Sequence, residues 1–139
     1  MNSALVDTSA LVAFFDENDK YSRHYHTVFT SIQKSATRLY TTWLCVTEAS
    51  YFLSPTSHIA MLEWVQRGGV HLYPVEAHHL STMIPKMKVY TERGKNQMDL
   101  ADASLYFVAT ELNTRIVLTL DIRDFNRYRL PDGQAFEIL

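Results

Sequence analysis

The sequence predicts an α/β protein in which a short parallel sheet is flanked by helices on both faces. Short apolar runs typical of strands alternate with longer segments whose apolar residues recur at helical spacing. One run, residues 115–120, is rich in leucine and β-branched residues, as expected of a strand buried on both faces. Two aspartates, Asp7 and Asp121, follow predicted strands, and open parallel sheets bind ligands beyond the carboxyl ends of their strands.

The apolar residues of the first half mark two strands and four helices. The predicted order is strand 4–6, helix 10–15, helix 21–32, strand 38–42, helix 43–53 and helix 58–67. The helix that starts at Tyr21 is the most clearly marked, because Tyr21, Tyr25, Val28, Phe29 and Ile32 recur on one face. A polar break separates it from the helix before it.

Proline and glycine set the helix ends in the middle of the chain. Ser54-Pro55 is expected to end the helix before it, and Gly68-Gly69 the next one. Pro85 lies inside the helix predicted over residues 76–93 and implies a kink or a break into two pieces. The second half is predicted as strand 70–75, helix 76–93, helix 100–112, strand 115–120 and an edge strand over 135–139. With no repeat or linker, we expect one domain over residues 1–139.

Composition and charge limit the classes of function. The chain has 139 residues, 47% of them hydrophobic, which is enough to bury a core without disulfides or structural metal ions. The single cysteine, Cys45, excludes an internal disulfide and is expected to be an inert buried thiol, so we expect a cytosolic protein without a membrane span. The net charge of -2 argues against nucleic-acid binding by bulk positive charge, but not against a nuclease that meets RNA through a bound cation.

Two further acids lie at helical positions among apolar residues. Glu48 falls at helical spacing between Leu44 and Tyr51 or Phe52, so its carboxylate is expected on the inward stripe. Asp102 precedes an apolar core position by three residues, although the helix dipole also favours an acid there. A buried carboxylate is costly unless a partner compensates its charge.

The alternative is a purely structural role, in which some of these acids only cap helices. Asp7 precedes a predicted helix and could be its cap, and Asp99 could cap the helix that carries Asp102. A cluster of carboxylates, by contrast, raises its own pKa values unless a hard divalent cation supplies the missing charge. Oxygen-only ligands favour Mg²⁺ or Mn²⁺ over zinc.

Four stretches of the chain resemble the PIN-domain ribonucleases and, within them, the VapC-type toxins of bacterial toxin–antitoxin pairs. They are LVDTSALVAFF near the N-terminus, TEASYFL around Glu48, DLADASLYFVATEL around Asp102 and IVLTLDIRDF around Asp121. They occur in order over essentially the whole chain. The resemblance implies a single PIN-like α/β domain and a Mg²⁺-dependent endoribonuclease whose products carry a 5′-phosphate and a 3′-hydroxyl.

The resemblance also implies the site and the partners. The acidic site would consist of Asp7, Glu48, Asp102 and Asp121 around one or two Mg²⁺ or Mn²⁺ ions, with Asp99 auxiliary and with Thr8, Ser9 and Arg123 as candidates for orienting a ligand or the substrate. Asp7 and Asp102 are the foremost metal ligands. The expected partners are an RNA substrate, a cognate antitoxin protein and a second copy in a homodimer, with no membrane contact.

Other residues have two open interpretations. Lys86, Lys88, Arg93 and Lys95 are either an RNA-facing rim or a plain solvated helix face. Arg127, like Arg123, could reach the phosphate backbone but is expected to be exposed to solvent. The aromatic residues, Tyr51, Phe52 and Trp64 among them, are expected in core or interface packing rather than in base stacking.

Three rival functions remain. A receiver-like regulatory domain needs an aspartate after its middle strand, yet the strand predicted over residues 70–75 ends without one. A haloacid-dehalogenase-type phosphatase needs a second acid where Ser9 stands. A housekeeping PIN nuclease without an antitoxin is the rival within the family.

Overall fold

Five strands form one parallel sheet in the computed structural model, which describes residues 2–91 and 96–139. The strands are β1 Ser3–Val6, β2 Arg38–Thr41, β3 His71–Leu72, β4 Ile116–Leu118 and β5 Glu137–Ile138, and their order in the sheet is β3-β2-β1-β4-β5. Leu5 of β1 pairs with Tyr40 on one side and with Val117 on the other. The predicted α/β class with a parallel sheet is therefore confirmed.

Seven helices flank this sheet. They are α1 Thr8–Phe15, α2 Ser22–Lys34, α3 Trp43–Phe52, α4 Pro55–Gln66, α5 Leu80–Tyr90, α6 Leu100–Leu112 and α7 Ile122–Arg127. Helix α1 packs against α2, α3 and α4, and α6 packs against α3 and α5. The core lies between these helices and the central strand, whose Ala4, Leu5 and Val6 are fully buried. None of the helices in the described part of the chain is long and apolar enough to span a bilayer.

Four predicted strands are shorter than expected. Strand β2 ends at Thr41 rather than at residue 42, and β5 covers only Glu137–Ile138 of the predicted residues 135–139. Residues 70–75, the middle strand in chain order, form only the two-residue β3 at an edge of the sheet, and β1 occupies the centre. Strand β4 ends at Leu118, although residues 115–120 were predicted. The cause lies at the end of the strand: the N–H groups of Leu120 and Asp121 donate to the Ser9 and Thr119 hydroxyls instead of continuing the hydrogen-bond ladder of the sheet. The chain turns towards β1 at this point.

The helix ends also differ from the prediction at two places. Helix α4 begins at Pro55 rather than at residue 58, because proline suits a first helical position and the Ser54 hydroxyl accepts the Ser57 N–H. Residues 77–79 form a 3₁₀ turn, and α5 runs from Leu80 to Tyr90 through Pro85, so the break precedes the proline. Arg93, where the predicted helix ended, lies outside the described residues.

The predicted stop at the two glycines is confirmed. Gly68 adopts a φ of 84°, which glycine reaches without a steric penalty, and the Gly69 N–H closes the helix on the Trp64 carbonyl at 2.9 Å. Gly69 also has no room for a side chain, since a Cβ there would lie 2.1 Å from the Trp64 indole nitrogen. Helix α7, which was not predicted, follows Asp121.

Candidate active site

Carboxylates from distant parts of the chain line one cavity at the carboxyl edge of the sheet. The cavity has a volume of about 310 Å³ and is lined by Asp7, Thr8, Ser9, Val12, Asp19, Glu48, Phe52, Asp99, Asp102, Leu120 and Asp121. All five acids singled out in the sequence are present. The loop after β1, helix α3, the start of α6 and the turn after β4 each contribute to it.

Asp7 is the acid at the end of the central strand. Its N–H donates to the Leu118 carbonyl at 2.9 Å, which places it beside the end of β4. The Thr119 hydroxyl donates to Asp7 Oδ2 at 2.7 Å, and the Ser9 hydroxyl donates to the same oxygen at 3.2 Å. Although Asp7 stands at the cap position of α1, its side chain makes no capping hydrogen bond, so helix capping does not account for it.

The surroundings of Asp7 disfavour its charge. It is only 4% exposed, and this burial raises the pKa of its carboxyl to about 6. The hydrogen bonds from Thr119 and Ser9 act in the opposite direction, and the charge of Asp121 adds to the rise. Keeping Asp7 ionised in the metal-free site therefore costs free energy, and a bound cation would remove that cost.

Asp102 carries the larger perturbation of the two buried aspartates. Burial, followed by the charge of Asp7, raises the pKa of Asp102 to about 8. The Tyr128 hydroxyl, on a fully buried ring, donates to Asp102 Oδ2 at 2.6 Å and partly opposes this rise. Asp99 caps α6, since its Oδ1 accepts the Asp102 N–H at 2.8 Å, and it also lines the cavity.

Glu48 lines the cavity, but the reason given for it from the sequence is wrong. It is half-buried and does not lie on the inward face of α3. Tyr51 and Phe52, which were expected on that face, are 82% and 67% exposed. The face that packs inward consists of Cys45, Val46 and Ala49. Apolar residues occur all around α3, so their spacing could not identify its buried side.

Asp121 belongs to a second group of acids at the start of α7. Carboxylate oxygens of Asp102, Asp121 and Asp124 lie within 4.8 Å of one another. Asp121 caps α7 by accepting the Asp124 N–H at 3.4 Å, and burial together with the charge of Asp124 raises its pKa. Arg127, which was expected in solvent, is half-buried and its Nη2 lies 3.1 Å from Asp124 Oδ1.

The remaining predicted residues divide into those at the cavity and those away from it. Ser9 contacts the Asp7 carboxylate, whereas the Thr8 hydroxyl donates to the Cys45 carbonyl at 3.4 Å. Arg123 is exposed and is not among the residues that line the cavity, and neither are Lys86 and Lys88. Lys95, like Arg93, lies outside the described residues. Cys45 is fully buried, and its burial raises the pKa of the thiol to about 12.

Four residues of the site were missed from the sequence. Thr119 and Tyr128 hold the two buried aspartates, Asp124 joins the second group, and Asp19 lines the cavity. Thr119 could have been found, because it lies two residues before Asp121 at the end of a strand. The other three depend on the path of the α1–α2 loop and on the unpredicted helix α7.

The set of donor atoms fits a hard divalent cation. The cavity presents carboxylate and hydroxyl oxygens and no histidine or cysteine side chain. Within residues 2–91 and 96–139, no lysine, arginine or histidine pairs with Asp7, Glu48, Asp102 or Asp121. The negative charge of the cavity is therefore left uncompensated by the described side chains.

Comparisons with known proteins agree with this fold. No protein-family model matches the chain. It is 27% identical over 139 residues to Ribonuclease VapC26 of Mycobacterium tuberculosis, a match that covers 97% of this chain and 98% of that protein. Its fold is similar to that of VapBC2 from Rickettsia felis, solved bound to a DNA fragment from its promoter, with a TM-score of 0.68 and 13% identity over 99% of this chain and 98% of that one.

Proposed function

We infer that this chain is a PIN-domain protein of the VapC type and that it acts as an endoribonuclease, the toxin of a toxin–antitoxin pair. One observation carries the inference: acids from five separate segments converge in one cavity where no described cationic side chain neutralises them. The match to a ribonuclease over nearly the full length of both chains supports it. The reaction is hydrolysis of an RNA phosphodiester bond.

The cavity residues would hold Mg²⁺, or Mn²⁺ in its place. Asp7 and Asp102 are the principal ligands, Glu48 and Asp121 complete the set, and Asp99 is auxiliary. When bound, the cation supplies Lewis acidity and neutralises charge on the scissile phosphate. Without it, the ionised carboxylates repel an RNA backbone, so the cavity accepts substrate only after its own charge has been balanced.

The residues around the ligands keep them in place. Thr119 is fixed by accepting the Asp121 N–H at 2.9 Å, and it donates to Asp7. Ser9 is fixed in the same way by the Leu120 N–H and donates to the same oxygen of Asp7. Two neighbouring backbone amides thus orient the two hydroxyls, and these hydroxyls in turn orient the Asp7 carboxylate. The site is therefore preorganised before a cation binds.

Protein partners follow from the exposed apolar surface of α3 and α4. Trp43, Tyr51, Phe52 and Ile59 are each more than half exposed. Large exposed apolar residues on neighbouring helices are typical of protein contact sites. We propose that this surface contacts a cognate antitoxin and a second copy in a homodimer, and that the protein acts in the cytoplasm.

The rival within the family is a processing nuclease with no antitoxin. A toxin is expected to arrest growth when induced alone, and its gene is expected to adjoin a short gene for a DNA-binding protein. Harmless overexpression of a cleaving protein from an isolated gene would instead identify the processing nuclease.

The test of the proposed function is to sequence RNA 5′ ends after induction. Cells expressing the native chain should accumulate new 5′-phosphate ends at discrete positions, and cells expressing Asp7→Asn should not. Glu111→Gln, an exposed acid on α6, is the matched control and should cleave like the native chain. Equal numbers of new ends in the native and Asp7→Asn cells would reject both the activity and the site.

Removing the Tyr128 hydroxyl is expected to weaken cation binding without creating a cavity in the core. In Tyr128→Phe the ring remains, but Asp102 loses the hydrogen bond that fixes its carboxylate. Loss of a hydrogen bond to a metal ligand typically costs 10-fold or more in metal affinity, so we expect Mn²⁺ to bind roughly 10-fold more weakly. Titration of free Mn²⁺ by electron paramagnetic resonance measures this directly.

A neighbouring tyrosine provides the control for Tyr128. The Tyr106 hydroxyl also donates from a buried ring, but to the Arg129 carbonyl, at 2.5 Å. Tyr106→Phe should therefore lose a comparable hydrogen bond while its Mn²⁺ affinity stays native. Equal losses of affinity in the two variants would show that Tyr128 acts only through the stability of the core.

A further inference from the structure

One long segment of the chain contains no acidic residue. All 15 aspartates and glutamates lie outside residues 20–47, although the protein as a whole has a net charge of -2. The same segment carries four basic residues, Lys20, Arg23, Lys34 and Arg38. It also includes His24 and His26. Helix α2 lies in the middle of this segment and contains no acid.

The basic residues of α2 lie on its exposed face. The buried face consists of Tyr25, Phe29 and Ile32. On the other side, a shallow groove of about 480 Å³ is lined by Arg23, His26, Thr27, Thr30, Ser31 and Lys34. Positions 23, 27, 30 and 34 follow helical spacing, so they form one continuous stripe along the helix. We call these six groove-lining residues the α2 stripe.

The cationic ends of the stripe are available to a ligand. In the described part of the chain, no carboxylate lies within 4.0 Å of the charged group of Arg23 or of Lys34. The hydroxyls of Thr27 and Thr30 donate to backbone carbonyls of α2, at 3.1 and 2.7 Å. The two cations are therefore the main groups on this face that could bind an anion.

The α2 stripe begins close to the acidic cavity and leads away from it. Asp19 lines the cavity, and its Oδ1 accepts the Tyr21 N–H at 2.8 Å just before α2 starts. After α2 the chain enters β2, where the Arg38 N–H donates to the Asn2 carbonyl beside the start of β1. The helix thus crosses from the carboxyl edge of the sheet to the opposite edge, and its 13 residues span about 20 Å.

We propose that the α2 stripe binds the phosphate backbone of single-stranded RNA whose scissile bond lies in the acidic cavity. The proposal rests on the proposed function. Lysine and arginine bind phosphates with no dependence on sequence, and Arg23 and Lys34 stand at the two ends of the stripe, about 16 Å apart along the helix. The groove presents no tryptophan, tyrosine or phenylalanine that would stack on bases. The stripe therefore contributes affinity and direction, and base selection belongs to the residues at the cavity.

The test measures how RNA binding depends on salt. A fluorescein-labelled 20-nucleotide single-stranded RNA of mixed sequence is titrated with protein, and its anisotropy is followed from low to moderate salt. The titration is made in EDTA, which prevents cleavage and keeps the RNA out of the metal-free cavity, so that binding reports on the stripe. For single strands each neutralised phosphate contributes about 0.7 to the slope of log affinity against log salt. Arg23→Gln/Lys34→Gln should therefore lower that slope by about 1.4 and weaken binding roughly 10-fold at low salt.

The matched control makes the same change in net charge elsewhere. Arg67 and Arg115 are both exposed and lie outside the groove, so Arg67→Gln/Arg115→Gln should keep the native slope. Identical slopes in the two double variants would overturn the proposal. So would a native slope in Arg23→Gln/Lys34→Gln accompanied by a loss of self-association in sedimentation, since the stripe would then be a protein contact.

Sequencing of RNA 5′ ends after induction of the native chain separates this proposal from the proposed function. New ends together with identical slopes reject the stripe and retain the nuclease. A reduced slope in Arg23→Gln/Lys34→Gln without any new RNA ends from the native chain supports RNA binding by the stripe and rejects the nuclease.

Discussion

Replacing Asp102 with asparagine is expected to reduce RNA cleavage roughly 1000-fold and, at the same time, to make the metal-free protein more stable. The loss of rate corresponds to about 4 kcal/mol of transition-state stabilisation, which is the scale of a metal site that has lost a principal ligand. The gain in stability has a separate cause. Asparagine keeps the shape of the side chain but removes a charge that the folded protein buries.

The gain in stability is large because the pKa of Asp102 is strongly raised. Burial and the charge of Asp7 raise its pKa to about 8, whereas a carboxyl in an unfolded chain has a pKa near 3.8. At pH 8 the unfolded chain gains nearly the full free energy of releasing this proton, whereas the folded protein, in which the group is still about half protonated, gains almost none of it. We expect Asp102→Asn to raise the free energy of unfolding by on the order of 3 kcal/mol at that pH. The Tyr128 hydroxyl can still donate to the asparagine oxygen.

Urea unfolding in EDTA at pH 8, with cleavage assays in Mg²⁺, measures both effects. Glu111→Gln on the same helix is the control, because it removes one negative charge from an exposed position. It should leave stability and cleavage near native values. A metal-free Asp102→Asn protein that is less stable than the native chain would show that Asp102 is structural. Its loss of activity would then say nothing about a metal.

The fold was largely predictable because its signals are local. The leucine-rich and β-branched run at β4 and the one-sided apolar residues of α2 identify a strand and a helix without any tertiary information. The ends of elements depend on contacts that the sequence does not show. Strand β4 stops early because the Ser9 and Thr119 hydroxyls accept the N–H groups of Leu120 and Asp121, and Ser9 lies about 110 residues away in the chain.

The candidate site was predictable to a different extent for each acid. Asp7 and Asp121 follow strands, so the geometry of a parallel sheet brings them to one edge. Glu48 reaches the same cavity, but from a half-buried side of α3 rather than from the buried stripe inferred from its spacing. Asp124 depends on α7, a six-residue helix that is too short and too charged to give an apolar period.

The exposed aromatic residues show why burial cannot be inferred from residue type. Tyr51 and Phe52 are large aromatic residues of the kind often found in cores, yet they face outward, and the smaller Cys45 and Ala49 fill the contact of α3 with its neighbours. Close packing of helix against helix favours small residues at the contact, which leaves the large ones outside. Their exposure carries no benefit for folding, which is consistent with the partner surface proposed above.

The second large effect is the loss of stability that the metal-free protein should show as the pH rises from 6 to 8. At pH 6 the folded protein retains the Asp102 proton, because its pKa is about 8, while the unfolded chain has already released it. The folded state therefore binds more protons, and its stability must fall with rising pH, by at most about 1.36 kcal/mol per pH unit for one group. Over this range we expect a fall of about 2 kcal/mol.

Asp7 adds little to this fall, because its folded pKa of about 6 places most of its contribution at lower pH. Mg²⁺ should reverse the trend. It binds the ionised carboxylates, so its stabilising effect grows as protons leave the site, and the gain in melting temperature on adding Mg²⁺ should be larger at pH 8 than at pH 6. Asp102→Asn should flatten both dependences. A native protein whose metal-free stability is the same at pH 6 and pH 8, or that loses stability with the same slope as Asp102→Asn, would mean that Asp102 is already ionised without a cation. The electrostatic argument for a metal in this cavity would then fail.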